Sequence, residues 1–235
     1  MKPDDQQLEN VQGNLLLKII FRVSLIFIFL GLLLFLTAGS LRYSEAWIYI
    51  TVFLVPGLCV ISYFYKKDPN FISRRILKRR EKEPMHKTIQ TIFSIVFLIA
   101  LLIPGFDFRF NWSDVPMSVV IVSNGFVFLG YLSVVRVMEE NRFASAIIEI
   151  SKEHKLIDTG PYKIVRHPMY TGGMILLLFT PLALGSYWAL IPFLILTVVP
   201  LVLRIINEEK LLITNLPGYP EYCQKTKYRL IPYIW

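Results

Sequence analysis

Cysteine, histidine and charge are all scarce in this sequence, and each scarcity removes a class of protein. There are two cysteines. Cys59 sits inside an apolar run and Cys223 in a polar tail, so a disulfide framework is not expected. There are three histidines, His86, His154 and His167. The first two read as solvated loop residues. Only His167 has acidic residues that could join it, Glu208 and Glu209, and no ligand spacing links them, so no metal site is expected. Charged residues make up 18% of the chain, against about a quarter in soluble domains. A Ser-His-Asp set, a phosphate loop and a G-x-G-x-x-G fingerprint are missing. So are internal repeats and low-complexity tracts. A cleavable leader is not expected, because the first apolar block is long and an acidic, polar segment precedes it.

What the sequence has in quantity is apolar length. Apolar residues make up 54% of the chain, and they come in blocks near the ~20 residues that a membrane-crossing helix needs. Spans are expected at Leu15–Ala38, with Lys18 and Arg22 near its start, and at Glu45–Tyr65, Thr88–Pro104 and Met117–Met138. The last apolar region, Tyr170–Ile206, is too long for one crossing. Pro181 and Gly185 break it into a tight helical hairpin. The fold class is therefore an all-α integral membrane protein of about six transmembrane helices with a cytoplasmic C-terminal cofactor-binding region. Two parts are expected: a membrane scaffold at 1–138 and a catalytic region at 139–235.

Charge orients the spans. The segment 66–87 holds nine basic residues (Lys66, Lys67, Arg74, Arg75, Lys78, Arg79, Arg80, Lys82 and Lys87) against Asp68, Glu81 and Glu83. The link 105–116 balances Arg109 with Asp107 and Asp114. The positive-inside rule then puts 66–87, both termini and 139–169 in the cytoplasm. The net charge of +8 is read as topology plus contact with anionic lipid headgroups at the 66–87 loop, not as nucleic-acid binding. The oligomeric state is left open.

Three polar clusters lie beyond what topology explains, all on the expected cytoplasmic side. They are Glu139–Phe143, Thr159–Gly173, and Arg204 with Glu208 and Glu209. A tight hairpin returns the chain to the side it left, so Arg166 and His167 should face Glu208 and Glu209. His167 precedes a proline and is biased away from helix, whereas Pro168 suits a first helical turn. A helix starting at Pro168 offers its N-terminus to an anion. Gly172 and Gly173 leave room for a flat ligand or for another helix. Singly, each of these residues also has a structural reading as an interfacial anchor, an ion-pair lock or helix packing.

Arg166-His167-Pro168-Met169-Tyr170-Thr171-Gly172, followed by Glu208-Glu209 after a hydrophobic hairpin, resembles the R-H-P-x-Y-x-G … E-E signature of the isoprenylcysteine carboxyl methyltransferase and phospholipid methyltransferase superfamily. Glu140–Ser145, the Thr159-Gly160-Pro161-Tyr162 turn and the tail Pro217-Gly218-Tyr219 … Tyr222 … Tyr228-Arg229-Leu230-Ile231-Pro232 are similar to its prokaryotic isoprenylcysteine-methyltransferase-like branch. The resemblance spans Gly130 to Trp235. It implies S-adenosylmethionine-dependent methylation of a lipid-like or prenylated membrane acceptor, by carboxyl O- or amine N-methylation, at a prokaryotic cytoplasmic membrane. It also implies a cofactor pocket of Arg166, His167, Pro168, Tyr170, Gly172, Glu208 and Glu209, with Gly160, Tyr162 and the C-terminal tyrosines as walls. Catalytic roles are expected for Glu209, Arg204 and His167, and acceptor contacts for Asn141 and Arg142.

The chemistry of the cofactor fits these residue types. Arg166 and the helix start suit its carboxylate, Glu208 or Glu209 its ammonium, and Tyr170 and the glycines its flat ring. A carboxylate acceptor needs no general base; an amine acceptor would give Glu209 or His167 a proton to take. The amphipathic stretch Arg142–Leu156 could lie along the membrane. Two rival readings are an NADPH-dependent sterol-type reductase, whose 2′-phosphate an acidic pair suits poorly, and a transporter or scaffold. The latter would place ionisable residues at mid-membrane depth.

Overall fold

A computed structural model describes residues 3–67, 94–141 and 156–235, with side chains from Leu16 onward. All regular structure among the described residues is helical. Helices α1 (Pro3–Ala38), α2 (Ser44–Lys67), α3 (Leu102–Phe110), α4 (Met117–Glu140), α5 (Pro168–Ala183), α6 (Leu190–Asn215) and α7 (Tyr219–Lys225) follow in order, with a 3-10 turn at Gly160–Lys163 before α5. Four of these are long and apolar enough to cross a membrane: α1 over Leu16–Ala38, α2, α4 and α6. Helix α5 has 16 residues, about 24 Å at ~1.5 Å per residue, shorter than a hydrocarbon core of about 30 Å. The expected third span begins outside the described residues, as do most of the 66–87 basic segment, Arg142, His86 and His154.

One expectation needs correction. The link 105–116 is not a loop throughout, because the chain turns at Leu101 and is helical again to Phe110. The cause is tertiary. Gly105 lies so close to α1 that a Cβ there would overlap the Thr37 side chain and come within 2.9 Å of the Leu34 carbonyl oxygen. That contact holds the segment in a helix until Asn111 ends it at φ 52°.

The helices alternate in direction, so the bundle has two ends. At one end lies the turn of the α5–α6 hairpin, and three other helices grip it. Tyr43 at the start of α2 donates its hydroxyl to the Leu184 carbonyl at 2.5 Å. Asn124 of α4 donates its amide to the Ala183 carbonyl at 3.1 Å. Buried Asp107 of α3 accepts hydrogen bonds from the Ser186 hydroxyl at 2.5 Å and from the Ser113 N–H and hydroxyl at 2.7 Å each. Gly185 makes the turn at φ +71°. Exposed Trp47, Trp112 and Trp188 ring this end, as amphipathic aromatics do at a membrane interface.

Helices α4 and α5 form the closest pair, and two glycines set their separation. A Cβ on Gly130 would lie 2.8 Å from the Gly172 carbonyl oxygen and 2.8 Å from the Leu176 nitrogen. A Cβ on Gly172 would lie 3.0 Å from the Gly130 carbonyl oxygen. Backbone-to-backbone approach through small residues is how helices associate in lipid, where no hydrophobic force draws them together. The core runs on from this crossing through Leu34, Tyr43, Ile50, Val127, Leu184 and Phe193.

Candidate active site at the joined ends of the last hairpin

The opposite end of the bundle is where α5 starts and α6 finishes. Helix α5 begins at Pro168, because a proline supplies no N–H and suits the first turn, with His167 in a non-helical conformation before it. The two residues before the proline are pinned by the C-terminal tail. The Arg166 N–H donates to the Tyr228 carbonyl and the His167 N–H to the Arg229 carbonyl, both at 2.9 Å. The Thr171 hydroxyl reaches the Leu230 carbonyl at 2.8 Å.

Glu209 sits at the centre and is 4% exposed. Its Oε1 is 3.1 Å from Arg166 Nε and 3.3 Å from His167 Nε2, and its Oε2 is 2.7 Å from Arg229 Nε. The Arg229 guanidinium in turn lies 5.2 Å from the centre of the Trp235 ring. A buried carboxylate tolerates burial only when its charge is matched, and here three basic side chains from two separate stretches of chain converge on one carboxylate.

Glu208, the next residue, points elsewhere, since neighbours on a helix are about 100° apart. The Tyr170 hydroxyl donates to Glu208 Oε2 at 2.5 Å and accepts from Arg204 Nε at 2.7 Å. Arg204 and Glu208 are one turn apart on α6, so the tyrosine hydroxyl bridges an i, i+4 pair. The Tyr170 ring lies nearly parallel to His167, with 5.6 Å between ring centres. Adjacent glutamates therefore have different work: Glu209 is enclosed by protein cations, whereas Glu208 is half-buried and shares one oxygen with a phenol.

A second group of contacts positions the approach to α5. The Asn141 amide, just past the end of α4, donates to the Tyr162 hydroxyl at 2.9 Å. The Tyr162 carbonyl accepts from the hydroxyls of Tyr222 at 2.7 Å and Thr226 at 3.3 Å. The Thr159 hydroxyl donates to Glu140. Gly160 must be glycine on two counts: its φ is +56°, and a Cβ would sit 2.8 Å from the Glu140 carboxyl carbon. Tyr162, Gly160 and Asn141 thus hold the loop in place through contacts with one another and with Glu140 and α7.

Two buried donors are left over. The Tyr219 hydroxyl has no hydrogen-bond partner. Nor does Arg166 Nε, which meets Glu209 as a charge contact only. The Tyr219 and Tyr222 hydroxyls are held well above the usual phenol range. Burial is the main cause for both, reinforced at Tyr219 by the negative charge of Glu209. Both remain protonated donors at any physiological pH.

The structure thus brings Arg166, His167, Pro168, Tyr170, Arg204, Glu208 and Glu209 to one place. Gly172 lies one turn deeper, against Gly130. Asn141, Gly160 and Tyr162 form the adjoining group, and Arg142 lies outside the described residues. Arg229 is a member of the ion cluster that motif reasoning did not single out; its signal was the one basic residue of the closing segment 228–235, which is otherwise aromatic and aliphatic.

The phospholipid methyltransferase family model matches residues 108–216. The match runs from α3 to the end of α6 and takes in the motif and both glutamates, while Arg229 lies beyond it. It is consistent with the superfamily that the motif resembles. No curated protein matches the chain. The family is one of phospholipid methyltransferases, and the match covers 109 of the 235 residues; four helices of the described residues are long and apolar enough to cross a membrane. The reductase and transporter readings gain nothing from it.

Proposed function

We propose that the protein is an S-adenosylmethionine-dependent methyltransferase whose pocket lies at the cytoplasmic ends of α5 and α6 and whose acceptor is a lipid-like or prenylated molecule of the membrane. The observation that carries this reading is the division of labour between adjacent glutamates. Glu209 is spent holding Arg166, His167 and Arg229 together. Glu208, half-buried beside the Tyr170 ring, is left to meet an ammonium group.

The residues present fit the cofactor. Arg166 Nε is a buried donor without a hydrogen-bond acceptor, as a carboxylate ligand would require, and the Tyr170 face suits a flat heterocycle. S-adenosylmethionine supplies a methyl group already activated on a sulfonium. The protein's task is then to align donor and acceptor and to exclude water from the nucleophile. Arg204 lies one turn from Glu208 towards the apolar part of α6, where an acceptor arriving through lipid would first meet polar groups. A carboxylate acceptor needs no base. For an amine acceptor, Glu208 is the better proton acceptor, because both Glu209 oxygens already face cations.

Six crossings with both termini in the cytoplasm complete the reading. The basic charge of 66–87 and the position of the polar clusters at helix ends support it. Anionic lipid headgroups are the partners for that basic segment. The scaffold (1–138) and catalytic region (139–235) are then functional divisions rather than packing units, because Gly130 and Gly172 meet across the boundary.

The test is incubation of the purified full chain with methyl-labelled S-adenosylmethionine and a total membrane lipid extract, with mass analysis of the products. A labelled lipid is expected, and its identity separates O- from N-methylation. Glu208→Gln is expected to weaken cofactor binding roughly tenfold or more, as loss of a charged hydrogen-bond partner does. No labelled product together with no measurable cofactor binding overturns the proposal.

A further inference from the structure

At the end of the bundle away from the candidate active site, α1 and α2 enclose an open groove of about 580 Å³. It follows α1 from Phe27 past Gly31 and Phe35 to Gly39, with Trp47 and Ile50 of α2 as the facing wall. At ~1.5 Å per residue that path is about 18 Å long. One leaflet is of similar depth, half of a hydrocarbon core about 30 Å thick. A Cβ on Gly31 would meet only the Phe35 ring, at 3.9 Å, so the groove stays open there for want of a side chain.

The walls offer little to a polar guest. Their only polar side chains are Ser40 and Trp47, and both are engaged. The Ser40 hydroxyl oxygen accepts from the Arg42 N–H at 3.0 Å, and Trp47 Nε1 donates to the Leu41 carbonyl at 2.9 Å. Charge gathers instead at the mouth. A Cβ on Gly39 would lie 3.5 Å from Arg109 Nε, so α3 sets the Arg109 guanidinium beside the end of the groove, next to the Phe110 ring. Arg42 follows Ser40 by two residues in the α1–α2 link. Both arginines are exposed, and neither has an ion pair among the described residues. An occupant that suits this groove is apolar along its length and anionic at one end.

We propose that the groove binds an anionic phospholipid of the leaflet opposite the candidate active site, with one acyl chain between α1 and α2 and the phosphate at Arg109 and Arg42. Trp47 then stands at headgroup level, as interfacial aromatics do. A zwitterionic headgroup suits the mouth less well, because its own ammonium already answers the phosphate. A second copy of the chain suits it less well too. A two-fold contact sets the same patch against itself, and would bring Arg109 and Arg42 against their counterparts. The bound lipid fills the seam between α1 and α2 and does not reach the groups around Glu208 and Glu209.

The test is native mass spectrometry of the purified, delipidated full chain, offered phosphatidylglycerol or phosphatidylcholine with the same acyl chains. Phosphatidylglycerol is expected to bind roughly tenfold more tightly, the attraction of two arginines for a net negative headgroup. Replacing both arginines, Arg42→Gln with Arg109→Gln, should remove that preference. Lys18→Gln, near the other end of the α1 span, should keep it. Gly31→Leu should weaken binding of both lipids by filling the groove. Equal binding of the two lipids by the wild type would overturn the site. So would a preference that survives the double variant or falls as far in Lys18→Gln, or a Gly31→Leu protein that binds both lipids like the wild type. A dimer that Gly31→Leu dissociates would overturn it as well, and would make the groove an interface between copies.

Discussion

Gly172 and Gly173 stand side by side on α5, yet adding one methyl group to each should have opposite consequences. At Gly172 a Cβ meets the Gly130 carbonyl oxygen at 3.0 Å, Val134 Cγ2 at 3.0 Å and Ser133 Cβ at 3.1 Å. At Gly130 the clash is worse, because both 2.8 Å neighbours are backbone atoms of α5 and cannot swing aside. Restoring ordinary contact near 3.4 Å requires the helices to part by several tenths of an ångström along their whole crossing. Overpacking of that kind costs about 1–3 kcal/mol. Around Gly173 a Cβ meets nothing within 4 Å, so the alanine there keeps its helix-propensity gain of up to about 1 kcal/mol. In a chain of this size 1 kcal/mol moves the melting temperature by about 2–4 °C. Gly130→Ala should therefore melt roughly 2–12 °C lower, Gly172→Ala somewhat lower, and Gly173→Ala level or higher, in thermal unfolding of detergent-purified protein. If Gly172→Ala melts like the wild type while losing cofactor affinity, Gly172 is a pocket residue and the packing account is wrong. If Gly173→Ala falls as far as Gly130→Ala, the geometry of the crossing is wrong.

Two other outcomes are expected. Glu209→Gln leaves Arg166, His167 and Arg229 without their counter-charge, so it should lower stability by about 3–5 kcal/mol, whereas Glu208→Gln should melt close to the wild type; chemical denaturation of both variants, showing equal losses, would refute the split between lock and ligand. A reporter fused after Trp235 should be active in the cytoplasm, and activity on the far side of the membrane would invert the proposed orientation.

Much of the site was legible because a hairpin is a strong constraint. An apolar run from Tyr170 to Ile206, too long for one crossing and interrupted near its middle, has to bring its two ends together, whatever the details of packing. Pro168 marked the helix start through its own covalent chemistry. The roles within the site were harder to read. Gly172 suited either a ligand or a helix, and only the position of Gly130, 42 residues earlier, decides that it packs. Arg229 reaches Glu209 across the turn at Gly218, the short helix α7 and a tail whose path is fixed by backbone bonds to Arg166 and His167; no local pattern encodes that route. The difference between Glu208 and Glu209 follows in principle from helix geometry, since adjacent residues face different ways. Which one turns inward depends on where the cations lie. The link 105–116 was misjudged for a similar reason, because Gly105, which reads as a loop residue, serves close packing against α1.

The ion cluster around Glu209 also has a consequence for how the chain is made. His167 precedes its carboxylate partner by 42 residues and Arg229 follows it by 20. At a synthesis rate of roughly 5–20 residues per second, about 2–8 seconds separate the appearance of His167 from that of Glu209. Throughout that interval Arg166 stands as an uncompensated charge directly ahead of an apolar hairpin. Uncompensated basic residues beside a span resist translocation, so in the proposed orientation the arginine that later pairs with Glu209 would first act as a stop signal for the nascent hairpin, and Glu209 would neutralise it only once the second helix has been inserted.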